Sequence, residues 1–228
     1  MLKLAVAYAV SKDLQVQLMS LTSERARKLG GSHLHLVFPF GGSHTRIAFS
    51  HSYAAICLSQ LEKDPLKKAL LKRSDVLVFE EVRLLSAEYF SAIDNVLKVL
   101  MDNTSPMGGK LFMSCGDSKQ LPPIDGRPLW GSLNMCTMME VFVFTCDIRA
   151  RGDALLQSLN SDCRRTLTPL ECRSVAETVM KQCQIESDWK HVPDEAVRIV
   201  STTAAEMEVV EEFLSDRVTQ SYRAVDYV

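Results

Sequence analysis

Between Asp75 and Phe79 the chain reads DVLVF, an apolar stretch of strand length with no alternation. A strand with one face in water alternates polar and apolar residues. A continuous run suits a strand covered on both faces, as in a parallel sheet. A second short apolar run occupies Lys110 to Ser114. Between the two, Ser86 to Met101 carries Phe90, Ile93, Val96, Leu97 and Leu100 on one stripe, with Glu88, Asp94 and Lys98 opposite. That spacing predicts an amphipathic helix. Strands alternating with helices predict an α/β fold built on a parallel sheet.

The flanking segments extend the pattern. Leu2 to Ser11 favours helix through Ala, Leu and Lys. Leu14 to Ser20 alternates, with Leu14, Val16 and Leu18 on one side, and predicts a strand. In the SERARKLGG segment Ser23 is the expected N-cap of a helix that Gly30 and Gly31 end. Residues 36–52 are loop-rich, and 53–73 predict one or two helices broken near Pro65. Beyond Trp130, Val141 to Thr145 predicts a strand, Ala154 to Ser161 and Pro169 to Cys183 predict helices, Val197 to Val200 a strand and Ala204 to Asp216 a helix. A boundary near 131–141 divides the chain into two units, residues 1–135 and 136–228.

Composition narrows the classes. The net charge of −2 gives no global basic field, so any contact with nucleic acid must use a local patch. No apolar run reaches the roughly 18 residues a membrane helix needs. The opening MLKLAVAYAVSKD has some features of a signal peptide, but its basic front is weak and a helix leading into a strand fits it better. The 7 cysteines form no C-x-x-C pair and there are 5 histidines, so free thiols are expected and a zinc site is not.

The strongest local signal is MSCGDSKQLPPIDG, residues 113–126, directly after an apolar strand. Gly116 and Asp117 stand at the strand's end, Gln120 follows, and two prolines stiffen the turn. Such a loop would aim the Gln120 amide out of the carboxyl edge of the sheet, where ligands of open α/β sheets bind. A proline-rich loop with an incidental glutamine has the same composition. Upstream, DVLVFEEV ends its strand in two acids, Glu80 and Glu81. Read alone, paired acids after a strand also suit a solvated helix start.

Together these segments resemble the Pif and RecD branch of superfamily-one DNA helicases, in which GD-x-x-QLPP is the third motif and an apolar strand ending in Asp-Glu is the Walker B element. The resemblance implies a RecA-like P-loop NTPase sheet, an incomplete first motor domain (1–135) and the start of a second (136–228). It implies that Glu80 holds Mg²⁺ through water, that Glu81 polarises the attacking water, and that Gln120, with Gly116 and Asp117, senses the γ-phosphate of ATP. Glu80 departs from the usual Asp by one methylene. LTSERARKLGGSHLH, residues 21–35, resembles the segment in which hydroxyls meet a DNA phosphate and a Gly-x-Thr-x-His element follows. There Ser20, Thr22, Ser23 and His35 become the candidate DNA contacts, with His33 where Thr is usual. FTCDIRARGDALLQSLN, residues 144–160, resembles the fourth motif, and Arg149 matches its γ-phosphate arginine; Ala150 stands where Gln is usual.

The implied activity is ATP-driven, 5′ to 3′ translocation on single-stranded DNA with duplex unwinding, in the nucleus or a mitochondrion, in settings such as repair, recombination, telomere upkeep or mobile-element copying. No G-x-x-x-x-G-K-[ST] loop occurs, and Gly109-Lys110 leads into a strand rather than a helix. The family's loop is expected upstream of Met1 and its last motifs beyond Val228. The isolated chain is therefore expected to hydrolyse ATP negligibly and to expose a sheet edge that seeks partners. The alternative is a non-catalytic remnant that binds nucleic acid or a protein.

Overall fold

The computed structural model describes residues 2–41, 50–144, 148, 150–182 and 207. The chain divides into two compact units, Met1–Arg165 and Thr166–Val228.

In the first unit, α1 (Leu2–Ser11) leads into β1 (Val16–Ser20), then α2 (Ser23–Leu29), β2 (Ser32–His33) and α3 (Leu34–Val37). After these come α4 (Ser50–Lys63), α5 (Pro65–Arg73), β3 (Val76–Glu80), α6 (Ala87–Met101), β4 (Leu111–Cys115), α7 (Leu133–Met138) and α8 (Ala154–Arg164). The four strands form one sheet in the order β2-β1-β3-β4, all parallel. Pro65 opens α5 at its first turn, where its missing N–H costs nothing, and Asp64 caps that helix by accepting from the Lys67 N–H.

The unalternating DVLVF run becomes β3, and its neighbours explain the composition. Leu77 and Phe79 join Met19 and Phe112 in the core under α4 and α6. Val76 and Val78 turn the other way, against Ala9 and Val6 of α1. Both faces are dry, so alternate residues gain equally from burial, about 1.5–3 kcal/mol for each large apolar side chain. Phe90 of α6 meets Phe112 of β4 edge-on, with ring centroids 5.6 Å apart.

The predicted stripe of α6 is wholly buried, but Asp94 is buried too, at 4% exposure. It is not on a solvated face. Its Oδ1 accepts the Met107 N–H at 2.7 Å and its Oδ2 pairs with Lys98 at 2.7 Å, so it latches the turn at Pro106–Gly109 onto the helix. Ser86 caps α6 by accepting the Tyr89 N–H.

Two other expectations are corrected. Thr22, not Ser23, occupies the N-cap position of α2, with extended backbone and no side-chain cap bond. Val141–Phe144 forms no strand and is exposed throughout; β-branched and aromatic residues favour a strand only where a neighbouring strand and a buried face await them. Gly30 ends α2 in the left-handed region, as expected. Gly31 is required for a different reason: a Cβ there would lie 2.6 Å from the Leu18 carbonyl oxygen.

In the second unit the described residues form α9 (Pro169–Gln182). Thr168 and Glu171 cap it reciprocally, the Glu171 N–H donating to Thr168 Oγ1 and the Thr168 N–H to Glu171 Oε2. The strand expected at 197–200 lies outside the described residues, as does all but Met207 of the helix expected at 204–216. No helix among the described residues is long and apolar enough to cross a membrane.

Candidate active site

The register of the sheet puts Ser20, Glu80 and Cys115 side by side at the carboxyl ends of β1, β3 and β4, with His33 of β2 next to Ser20. In an open α/β sheet this edge is where ligands bind. The two segments found by motif therefore meet in space because their strands pair in register.

Glu80 ends β3 with its side chain 15% exposed, and its Oε2 is buried with no hydrogen-bond partner. Glu81 follows in the left-handed region, φ 58° and ψ 47°. A residue with a Cβ pays about 1–2 kcal/mol for that conformation, and such strain is concentrated at functional sites. The turn brings the second carboxylate back beside the first. Arg25 of α2 spans both acids, with Nη1 3.2 Å from Glu80 Oε1 and Nη2 3.4 Å from Glu81 Oε1. Arg83 holds Glu81 from the other side, Nε to Oε2 at 3.0 Å.

The GDSKQLPP loop is pinned at both ends. Gly116 passes so close to the acid turn that a Cβ would lie 3.1 Å from Val82 Cγ1 and 3.2 Å from the Arg83 nitrogen. Asp117 shapes the turn, accepting the Lys119 N–H on Oδ1 at 3.1 Å, while its carbonyl accepts the Gln120 N–H at 3.2 Å. Its Oδ2 takes a bond from Arg164 Nη2 of α8 at 2.9 Å and a looser one from Gln120 Nε2 at 3.5 Å. Arg83 Nη1 donates to the Leu121 carbonyl at 2.7 Å. At the far end Arg127 donates to Glu88 through its backbone N–H and its Nε, at 2.9 and 2.7 Å. Burial alone would raise the Glu88 pKa, but the bonds from Arg127 outweigh it and hold the carboxyl below its ordinary range. Gln120 itself is exposed at the edge of the sheet.

On the β1 side the expected hydroxyls divide. Ser20 is 0% exposed and its Oγ accepts the Thr22 N–H at 3.3 Å, so it braces the turn and does not present itself to a phosphate. Thr22 is half-buried and Ser23 exposed. His33 Nε2 lies 2.7 Å from the Leu21 carbonyl, and its Nδ1 accepts the His35 N–H at 3.3 Å. Those two partners set the tautomer, with the proton on Nε2. His35 packs its ring edge-on to Tyr89 at 5.8 Å, and its Nδ1 is buried without a partner. Burial, and then the neighbouring His33, lower its pKa. Arg149 lies outside the described residues.

The structure thus gathers Ser20, Thr22, Glu80, Glu81, Gly116, Asp117 and Gln120 at one edge. Arg25, Arg83 and Arg164, which hold the acids and the loop, were not among the expected site residues. The position of Arg83, two residues after the acids, was the one available signal.

Residues 30–136 match the family model described as PIF1-like helicase. The chain is similar to the ATP-dependent DNA helicase PIF3 of Trypanosoma brucei brucei, 28% identical over 153 residues that cover 64% of this chain and 17% of the relative. It is 33% identical to ATP-dependent DNA helicase PIF1 of Saccharomyces cerevisiae over 87 residues, 34% of this chain and 10% of the relative. Among solved structures, Pif1 helicase from Candida albicans superposes with a TM-score of 0.74 at 16% identity, covering 96% of this chain and 48% of that one. Pif1 from Bacteroides, in complex with ADP-AlF3 and ssDNA, superposes at 0.64 and 16% identity, covering 90% and 48%. The chain spans about half the length of these structures and a smaller share of the curated relatives. The shared fold is α/β, the parallel RecA-like sheet of Pif1 helicases. Over residues 30–136 the chain is similar in sequence to the PIF1-like helicases, and over most of its length it shares the fold of the Pif1 structures.

Proposed function

We propose that this chain carries part of the ATP-hydrolysing engine of a DNA helicase that moves 5′ to 3′ on single-stranded DNA, acting on nuclear or mitochondrial DNA. In that reading residues 1–135 belong to the first motor domain and 136–228 to the second. The observation that carries the proposal is the edge itself: Glu80, Glu81 and the Gly116–Gln120 loop converge through strand register and are pinned by Arg83.

The chemistry of the residues fits a magnesium ion. Glu80 offers a hard carboxylate oxygen that is buried and unpartnered, and Mg²⁺ favours one or two carboxylates together with water and phosphate oxygens. When bound, the ion neutralises charge on the β- and γ-phosphates. Glu80 would hold it. Glu81, whose strained turn aims its carboxylate beside Glu80, orients the attacking water and takes up its proton on a carboxylate oxygen. Gln120, on a loop held by Asp117 and Arg83, donates its amide to the γ-phosphate. Arg149 is the arginine assigned to the developing phosphoryl charge from the second domain. Thr22 and Ser23 meet the DNA backbone, and His35, packed on His33 and Tyr89, supports that turn from beneath.

The Bacteroides Pif1 structure is a complex with ADP-AlF3 and ssDNA, which supports nucleotide and single-stranded DNA as the ligands here. The test is strand displacement by the protein that contains this segment, on duplexes with either a 5′ or a 3′ single-stranded tail. ATP-dependent displacement from the 5′-tailed substrate alone is the expected result. Displacement from the 3′ tail, or from neither, overturns the reading.

A further inference from the structure

The acid pair already holds a cation. Arg25 reaches from the first turn of α2 and places one guanidinium nitrogen on each carboxylate, 3.2 Å from Glu80 and 3.4 Å from Glu81. The two acids carry two negative charges, and Arg25 with Arg83 returns two positive ones, so the cluster is neutral as it stands. The two arginines are not equivalent. Arg83 is 16% exposed and also bonds the Leu121 carbonyl, which makes it part of the frame. Arg25 is 48% exposed, and its ion pairs with the acids are its only described polar contacts. It can leave into water at small cost. If it left, Glu81 would keep Arg83, whereas Glu80 would have no described cationic partner.

We propose that Arg25 is a built-in competitor for the divalent cation, occupying the Glu80–Glu81 pair in the free protein and yielding it when the metal enters. This rests on the reading of Glu80 as the metal-holding acid, with Glu81 beside it orienting the attacking water. A doubly charged ion added beside two guanidinium groups meets repulsion that one group fewer would reduce. Because Arg25 sits on the same helix as Ser23, the competitor is also mechanically tied to the candidate DNA-contacting turn.

The experiment is a titration of the 228-residue chain with Mn²⁺ alone, read by electron paramagnetic resonance of the free ion. The chains compared are wild type, Arg25→Gln, Arg25→Lys and Glu80→Gln. Arg25→Gln keeps the stem and removes the charge, and it is expected to bind about two- to fivefold more tightly, the range for an ion pair with an exposed partner. Arg25→Lys stays nearer to wild type, and Glu80→Gln loses the site. Equal affinity in wild type and Arg25→Gln overturns the competition while leaving the metal site intact. No difference between Glu80→Gln and the other chains overturns the metal reading, and the competition with it. In the wild-type chain the Arg25 Nε–H signal in a nitrogen-edited NMR spectrum must shift at saturating Mg²⁺; a signal that stays in place also overturns the proposal.

Discussion

Arg83 donates to the carbonyl oxygen of Leu121 across 38 residues of chain, at 2.7 Å. With its bond to Glu81 at 3.0 Å, this makes one largely buried guanidinium the tie between the acid turn after β3 and the glutamine loop after β4. Arg83→Ala would leave Glu81 in a strained turn without that support and free the Leu121 carbonyl. The expected loss is about 1.5–3 kcal/mol, as for hydrogen bonds to charged groups. Urea melts give the loss, and amide exchange over residues 116–124 must speed up more than exchange in α6. A uniform change across the chain would contradict the tie.

Asp94 tests the buried latch. Asp94→Ala removes the acceptor of the Met107 N–H and leaves Lys98 unpaired, and it is expected to cost about 2–4 kcal/mol. Denaturant unfolding measures it. A loss below that of an ordinary surface substitution would mean that the turn at Pro106–Gly109 holds itself.

His35 gives a pH dependence with a definite sign. Its folded pKa lies below the ordinary 6.5, first through burial and then through His33. The unfolded chain therefore takes up the proton more readily. The stabilisation is complete above 6.5 and is lost as pH falls from there through the folded value. Urea melts at pH 7.5 and 5.5 should show a drop in stability that shrinks in His35→Phe, whose ring keeps the edge-on contact with Tyr89. An equal drop in both chains would assign the dependence to other groups.

Ser20 and Ser23 separate bracing from contact. Ser20→Ala should lower stability by about 1 kcal/mol, the ordinary worth of a hydrogen bond, with single-stranded DNA affinity preserved. Ser23→Asp should leave stability nearly unchanged and weaken DNA binding, most clearly at low salt where phosphate contacts dominate. Fluorescence anisotropy of a labelled oligonucleotide distinguishes them, and the reverse pattern would refute the division.

Much of this was legible from residue order. DVLVF gave β3 because a strand dry on both faces has no reason to alternate, and the α6 stripe followed from helical spacing. The acids and the GDSKQLPP loop were visible as motifs. Periodicity placed Asp94 on the outer face because it cannot know that a backbone N–H thirteen residues later will arrive there. Composition made VFVF a strand, but propensity supplies no neighbouring strand. Ser20 looked like a contact because its position in the turn was right; only the register, which buries it beside Glu80, shows that its hydroxyl points inward. Arg25 was silent for the same reason, since an arginine's partners are decided by which strand ends meet, and Arg83 offered only its place two residues after the acids.

In the proposed reading Glu81 and Gln120 perform the phosphoryl chemistry at this edge. The most direct measurement is ATP hydrolysis, stimulated by single-stranded DNA, by the protein that contains this segment, compared with its Glu81→Gln and Gln120→Ala variants. Loss of turnover by a factor of about 10² or more, the ordinary contribution of a general base, with single-stranded DNA still bound, is the predicted result. Turnover that survives Glu81→Gln undiminished would contradict the account.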